Sequence, residues 1–113
     1  MDARDFVQAA LALYVQMPDT PARASPRDRL VARRFFDDGV TIEDLRRALL
    51  LASARRIRRD PELGPLGRIR SLAYFVPVVE EVLSEDWPEG YTGYLEGIVS
   101  RDSRFGGSSQ LTL

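Results

Sequence analysis

The sequence predicts an all-α fold: a compact bundle of four to five helices around one core, with the third helix central and the fourth kinked or broken by a proline. Three observations carry this. Apolar residues recur at three- and four-residue spacing in successive segments. The segments are bounded by capping residues, prolines and glycines. The third is apolar around much of its circumference, as a helix enclosed by others must be.

The first helix is predicted from Ala3 to Met17, with Asp2 as N-cap and Asp5 at the positive end of the helix dipole. Phe6, Ala10, Leu13, Tyr14 and Met17 share one face, and Pro18 stops the helix. After a connector punctuated by Pro18 and Pro21, Ser25 caps the second helix, with Pro26 in its first position and Asp28 in its third. Val31, Ala32, Phe35 and Phe36 form its apolar face, and Gly39 ends it as a left-handed cap.

Thr41 caps the third helix, with Asp44 three positions on and Val40 stapled to Leu45. Its body runs from Ile42 to about Arg59, with Ile42, Leu45, Leu49 and Ala52 facing the core. Asp60-Pro61 terminates it, and residues 62–67 form a loop. The fourth helix starts at Ser71, with Leu72, Phe75, Val76, Val79 and Leu83 inward. Pro77 lies too deep to be free of cost, so a kink, or a break that reopens there, is expected. A fifth helix spans Gly90 to Val99, weakened by Gly93 and Gly97. The helical domain covers 1–101, and the Gly/Ser-rich 102–113 form a flexible tail.

The chain has 113 residues, no Cys, no His and no Lys, so all sixteen basic residues are Arg. Disulfides are excluded. So are the usual zinc sites, a Cys nucleophile and any imidazole-based triad. Arg, Ala, Gly and Pro share GC-rich codons, which accounts for the missing Lys but not for where the arginines fall. Thirteen of them lie between Arg23 and Arg70 against seven acids, a local net charge of +6. Residues 71–113 carry two Arg against seven acids. A basic middle with acidic ends points to an anionic partner or to a second copy of the chain. The opening Met1-Asp2-Ala3-Arg4-Asp5 has neither the basic region nor the apolar core of a signal peptide, and the longest apolar run, Leu72–Val79, is too short to span a bilayer. Cytoplasmic localisation and no membrane partner follow as expectations. The adjacent acids Asp37-Asp38, Glu43-Asp44 and Glu80-Glu81 point about 100° apart on a helix and chelate poorly. No catalytic residue, metal or cofactor is expected, and the chain is read as a non-enzyme.

On the third helix Arg47, Leu51, Arg55 and Arg58 fall on a stripe opposite Leu45 and Leu49. Arg33 and Arg34 on the second helix, and Arg68 and Arg70 before the fourth, extend the stripe if the helices pack as a bundle. Guanidinium groups take phosphate oxygens in pairs, and Tyr74, one position off the core face, is either a half-exposed stacking platform for a base or a buried ring with its hydroxyl at the surface. Three alternatives stand beside one another: a phosphate-contacting surface, a solvated face with internal pairs such as Arg33–Asp37 and Arg34–Asp38, and a homodimer or partner groove anchored by Leu51. Trp87 and Tyr91, near the acidic end and not interleaved with Arg, are expected to form a lid over the core with no nucleic-acid role.

The stretch Phe36-Asp37-Asp38-Gly39-Val40-Thr41-Ile42-Glu43-Asp44-Leu45-Arg46-Arg47-Ala48-Leu49, with the later Ser71-Leu72-Ala73-Tyr74, resembles the DnaD-type C-terminal domain of bacterial and phage replication-initiation proteins. That family carries a Tyr-x3-Ile-x3-Trp motif linked to single-stranded DNA binding. The matching positions here are Tyr74, Val78 and Val82, so the Tyr is kept, the Ile becomes Val and the Trp is absent. The chain is also similar to small helical proteins encoded near bacterial mobile elements. The resemblances imply a nucleic-acid-associated accessory protein in DNA replication or mobile-element maintenance. The alternative is a self-assembly or protein-interaction module that docks its Arg/Leu face on an acidic surface.

Overall fold

A computed structural model describes residues 1–102. The expected tail, apart from Asp102, lies outside the described residues. The described residues form five α-helices: α1 Ala3–Gln16, α2 Pro26–Asp37, α3 Ile42–Ile57, α4 Val76–Ser84 and α5 Tyr91–Ser100, with 3₁₀ turns at Pro61–Leu63 and Leu72–Phe75. The N-terminal caps follow from local chemistry. The Asp2 carboxylate accepts from the Asp5 N–H. Ser25 with Asp28, and Thr41 with Asp44, form reciprocal capping boxes. Gly39 has φ +85°, where a side chain is strained, and so closes α2 as expected.

α3 is the central element. It packs against α1 on one side and against α4 and α5 on the other. Every residue from Ala48 to Ala54 is buried. This corrects the expected role of Leu51: it is 6% exposed and lines the junction with α4 and α5, so it does not project as an exposed anchor for a dimer. The apolar run Ala48–Leu49–Leu50–Leu51–Ala52 is the pattern of a helix covered on all sides. α3 also ends at Ile57, two residues before the expected Arg59.

The expected fourth helix takes the broken form. Residues 72–75 wind as a 3₁₀ turn, and α4 opens with Pro77 in its first turn, where its missing N–H costs no helical hydrogen bond. The break resets the inner face. A 3₁₀ turn winds about 120° per residue against about 100° for an α-helix. Val82 therefore aligns with Phe75 and Val79, and the expected core residue Leu83 turns outward to 52% exposure.

The start of this segment is capped at long range. Ser71 makes no side-chain cap bond. Instead the Leu72 N–H donates to Asp28 Oδ1 at 2.9 Å, while Asp28 Oδ2 accepts from the Ser25 N–H at 2.9 Å. Asp28 is 1% exposed and spends both oxygens on backbone donors, which offsets the cost of burying its charge. One carboxylate thereby ties the α2 N-terminus to the turn that carries Tyr74. Below that turn Phe75 packs edge-on to the Tyr14 ring, centroids 6.1 Å apart. The Tyr14 hydroxyl is buried without a hydrogen-bond partner. Burial first, and the charge of Asp28 second, push it up to about 12.

Candidate binding groove at the end of α3

Arg55 and Arg56 in the last turn of α3, and Arg58 and Arg59 just past its end, adjoin the loop that follows. After the 3₁₀ turn at Pro61–Leu63, Gly64, Pro65 and Gly67 keep the loop out of regular structure, so carbonyls there need other donors. Two arginines supply them. Arg59 donates from Nε to Gly64 O (3.1 Å) and from NH2 to Leu63 O (3.0 Å). Arg56 donates to Gly67 O (2.6 Å), to the Tyr74 hydroxyl (3.1 Å) and to Asp19 Oδ2 (3.2 Å). Its side chain is only 9% exposed. It also lies over the Tyr74 ring, 5.5 Å from the centroid. The same region zips two connectors together: the Ile69 N–H donates to Asp19 O (2.9 Å), and Arg68 donates to Thr20 O (3.2 Å). Asp19 holds φ +65° there, a conformation that Asp tolerates better than most residues.

The result is a groove of about 470 Å³ between the end of α3, the 60–67 loop and the start of α4. Ala52, Leu63, Leu66, Pro77 and Val78 give it an apolar surface, Arg55, Arg56 and Arg59 against one acid, Asp60, give it charge, and Tyr74 gives it a ring. Leu63 (63%), Leu66 (43%) and Tyr74 (44%) are well exposed. Tyr74 is braced from the side by Phe75, edge to face at 5.2 Å.

Of the residues singled out from sequence, Arg55 and Tyr74 meet in this groove. Arg58, exposed, caps the C-terminus of α3 next to it. Arg68 and Arg70 are exposed on the segment leaving the loop. Arg33 and Arg34 are elsewhere. Arg33 pairs with Asp37 at 3.0 Å. Arg34 faces a separate cavity of about 300 Å³ between α2 and α4, with Asp38 and Glu80 also in its wall. The expected Arg34–Asp38 ion pair is not among the salt bridges formed. Arg47 does not line this groove. It sits over the Trp87 ring at 5.4 Å, with Glu43 Oε2 3.5 Å from its Nε. The single basic stripe is therefore divided. α4 and α5 pack against it, and their carboxylates meet its arginines: Glu81 takes Arg55 with both oxygens, and Glu96 takes the neighbouring Arg46. The hydrogen bonds from Arg55 hold the Glu81 carboxyl below its ordinary range.

Sequence reasoning missed Arg56 and Arg59 as organisers of the groove, and Leu63 and Leu66 as its exposed apolar rim. The available signal was a Gly/Pro loop directly after an Arg-rich helix end, since such a loop carries carbonyls with no partners of its own. Among the described residues no group of three or more acids gathers where a metal ion could be held, and no helix is long and apolar enough to cross a membrane. Comparison with protein-family models, curated proteins and solved structures returns no match.

Proposed function

We propose that the chain is a non-enzymatic nucleic-acid-associated accessory protein of the cytoplasm, serving DNA replication or mobile-element maintenance, that holds a single-stranded segment beside Tyr74. The observation that carries this reading is the half-exposed Tyr74 ring in a groove shared with Arg55, Arg56 and Arg59. Bases stack on aromatic faces without sequence preference, and guanidinium groups fork onto phosphates. From residue 55 to 70 six arginines stand against two acids, a net +4. Asp19 and Glu81, the partners of Arg56 and Arg55, lower this to +2. Arg58 and Arg70 are exposed and in no ion pair among the described residues, so they are the groups freest to meet phosphate. The resemblance to the DnaD-type motif is consistent with this: its first two positions, Tyr74 and Val78, line the groove, while the third, Val82, is buried.

The test is the salt dependence of binding to labelled poly-dT. Binding is expected to weaken steeply with salt. Arg58→Gln with Arg70→Gln is expected to flatten the log–log slope by roughly 1.4, at about 0.7 per lost phosphate contact. Tyr74→Ala is expected to cost ~1–3 kcal/mol of affinity. No retention on single- or double-stranded DNA at low salt rejects the proposal.

A second reading is favoured by Leu63 and Leu66, exposed on the same groove: an acidic amphipathic segment of a partner protein docks there. Capture of an acidic helical peptide, lost on Leu63→Ser with Leu66→Ser, in a chain that ignores poly-dT, selects it. A dimer anchored on Leu51 is not proposed, because that side chain is buried.

A further inference from the structure

Along α4 from the groove, past the Arg55–Glu81 pair, lies a second and smaller cavity of about 130 Å³. Leu51 and Val82 supply its apolar surface, and the rings of Trp87 and Tyr91 and the side chains of Glu85 and Asp86 complete it beyond the ion pair. It is less than a third the size of the groove, on the scale of a side chain rather than a nucleotide. Its charge is the reverse of the groove's. Three carboxylates face one guanidinium, and Arg55 is occupied by Glu81 in a two-bond pair. Glu85 and Asp86 are exposed and form no ion pair among the described residues.

The aromatic surface runs from the cavity into solvent. Trp87 and Tyr91 are 5.0 Å apart with planes tilted by 54°, and Tyr91 stacks on Tyr94 at 6.0 Å and 13°. Tyr94 is 60% exposed. Trp87 is fixed by the bond from its Nε1–H to Thr92 Oγ1 at 2.8 Å, and its ring already carries one guanidinium, that of Arg47. Ring faces attract cations, and the planar guanidinium stacks on them while forking to carboxylates. The carboxylates in its wall outnumber its one arginine and repel phosphate, so the nucleic-acid reading of the groove does not extend here.

We propose that this cleft and the Tyr91–Tyr94 ledge receive an arginine side chain from an extended basic segment of another protein. The guanidinium lies on the Tyr91 ring and bonds Glu85 and Asp86, while flanking residues of the segment lie on Tyr94. The inference is independent of the nucleic-acid reading.

Trp87 is the one tryptophan of the chain and stands in the cleft wall, so its emission reports occupancy directly. The full chain is titrated with the peptide acetyl-Gly-Arg-Gly-Arg-Gly-Arg, and with the same peptide carrying neutral citrulline at each arginine. A saturable change in Trp87 emission is expected, with binding at least tenfold weaker for the citrulline peptide. The double variant Glu85→Gln, Asp86→Asn alters two exposed groups, and its fold is checked by far-UV circular dichroism. It is expected to bind the arginine peptide at least tenfold more weakly, whereas Tyr91→Phe, which keeps the ring, binds as wild type. Absence of a saturable change in the wild type, an equal response to citrulline, or unaltered binding by the double variant each overturns the proposal. Light scattering that finds a dimer dissolved by the double variant overturns the assignment to another protein, because the arginine donor is then a second copy.

Discussion

The Arg55–Glu81 pair stands between two cavities built on the same helix and opposite in character. On one side the end of α3 meets a loop, and on the other it meets the last turn of α4 and the approach to α5. The loop brings carbonyls and leucines, so the arginines there keep their positive field. The α4–α5 side brings Glu81, Glu85 and Asp86, so the field changes sign within a few residues. An arginine-rich helix is thus not by itself a basic surface. Its potential at each point depends on what the rest of the chain packs beside it.

The largest expected break in this contrast is Arg56→Ala. It removes a nearly buried guanidinium that bonds the Asp19 carboxylate, the Gly67 carbonyl and the Tyr74 hydroxyl together. A loss of about 3–5 kcal/mol is expected, read from urea unfolding, with the groove side disordered first in hydrogen exchange. Asp28→Ala follows. It removes a helix cap and leaves the Leu72 N–H buried without an acceptor. The expected cost is roughly 2–4 kcal/mol, with Tyr74 loosened from its position.

Arg55→Gln removes the partition itself. The pair is partly exposed, so only about 0.2–1 kcal/mol is at stake, and high salt diminishes it. Its pH signature is specific. The Glu81 carboxyl is depressed from its ordinary 4.5, so its stabilisation is present above that value and is lost as pH falls through the lowered one. Unfolding curves from neutral pH into acid are expected to converge for wild type and Arg55→Gln.

The smallest effect at neutral pH is that of Tyr14→Phe, which deletes a buried hydroxyl with no partner beneath the Tyr74–Phe75 turn. Stability there is expected to change by less than about 1 kcal/mol, because no hydrogen bond is lost. At high pH the two proteins separate. Folding keeps the Tyr14 proton up to about 12 against 10.0 for an ordinary tyrosine, so the wild type loses stability as pH rises through that window, and Tyr14→Phe loses less. Melting temperatures on either side of pH 10 test this.

The helices were legible because their causes are local. Asp2, Ser25 and Thr41 each bond within three residues of themselves, Gly39 needs only its own backbone, and Pro77 disrupts only its own turn. The candidate site was legible in part. Tyr74 and Arg55 were singled out and do share a groove, whereas Arg33 pairs with Asp37, Arg34 lines another cavity and Leu51 is enclosed. Periodicity places Leu51 on a face but says nothing about what covers that face. The inner position of Val82 instead of Leu83 followed from a 3₁₀ turn that Asp28 caps from another helix, a bond across forty-four residues of chain.

The sequence by itself determined that this chain is helical, where four of its five helices begin and that its arginines concentrate in the middle, because propensity, capping and composition act over a few residues. Only the tertiary structure decided which of those arginines carry net charge to solvent and which are cancelled by Glu81 and Glu96. Coulomb energy depends on distance in space and on exclusion of water, and those distances exist only once α3 is enclosed by α1, α4 and α5.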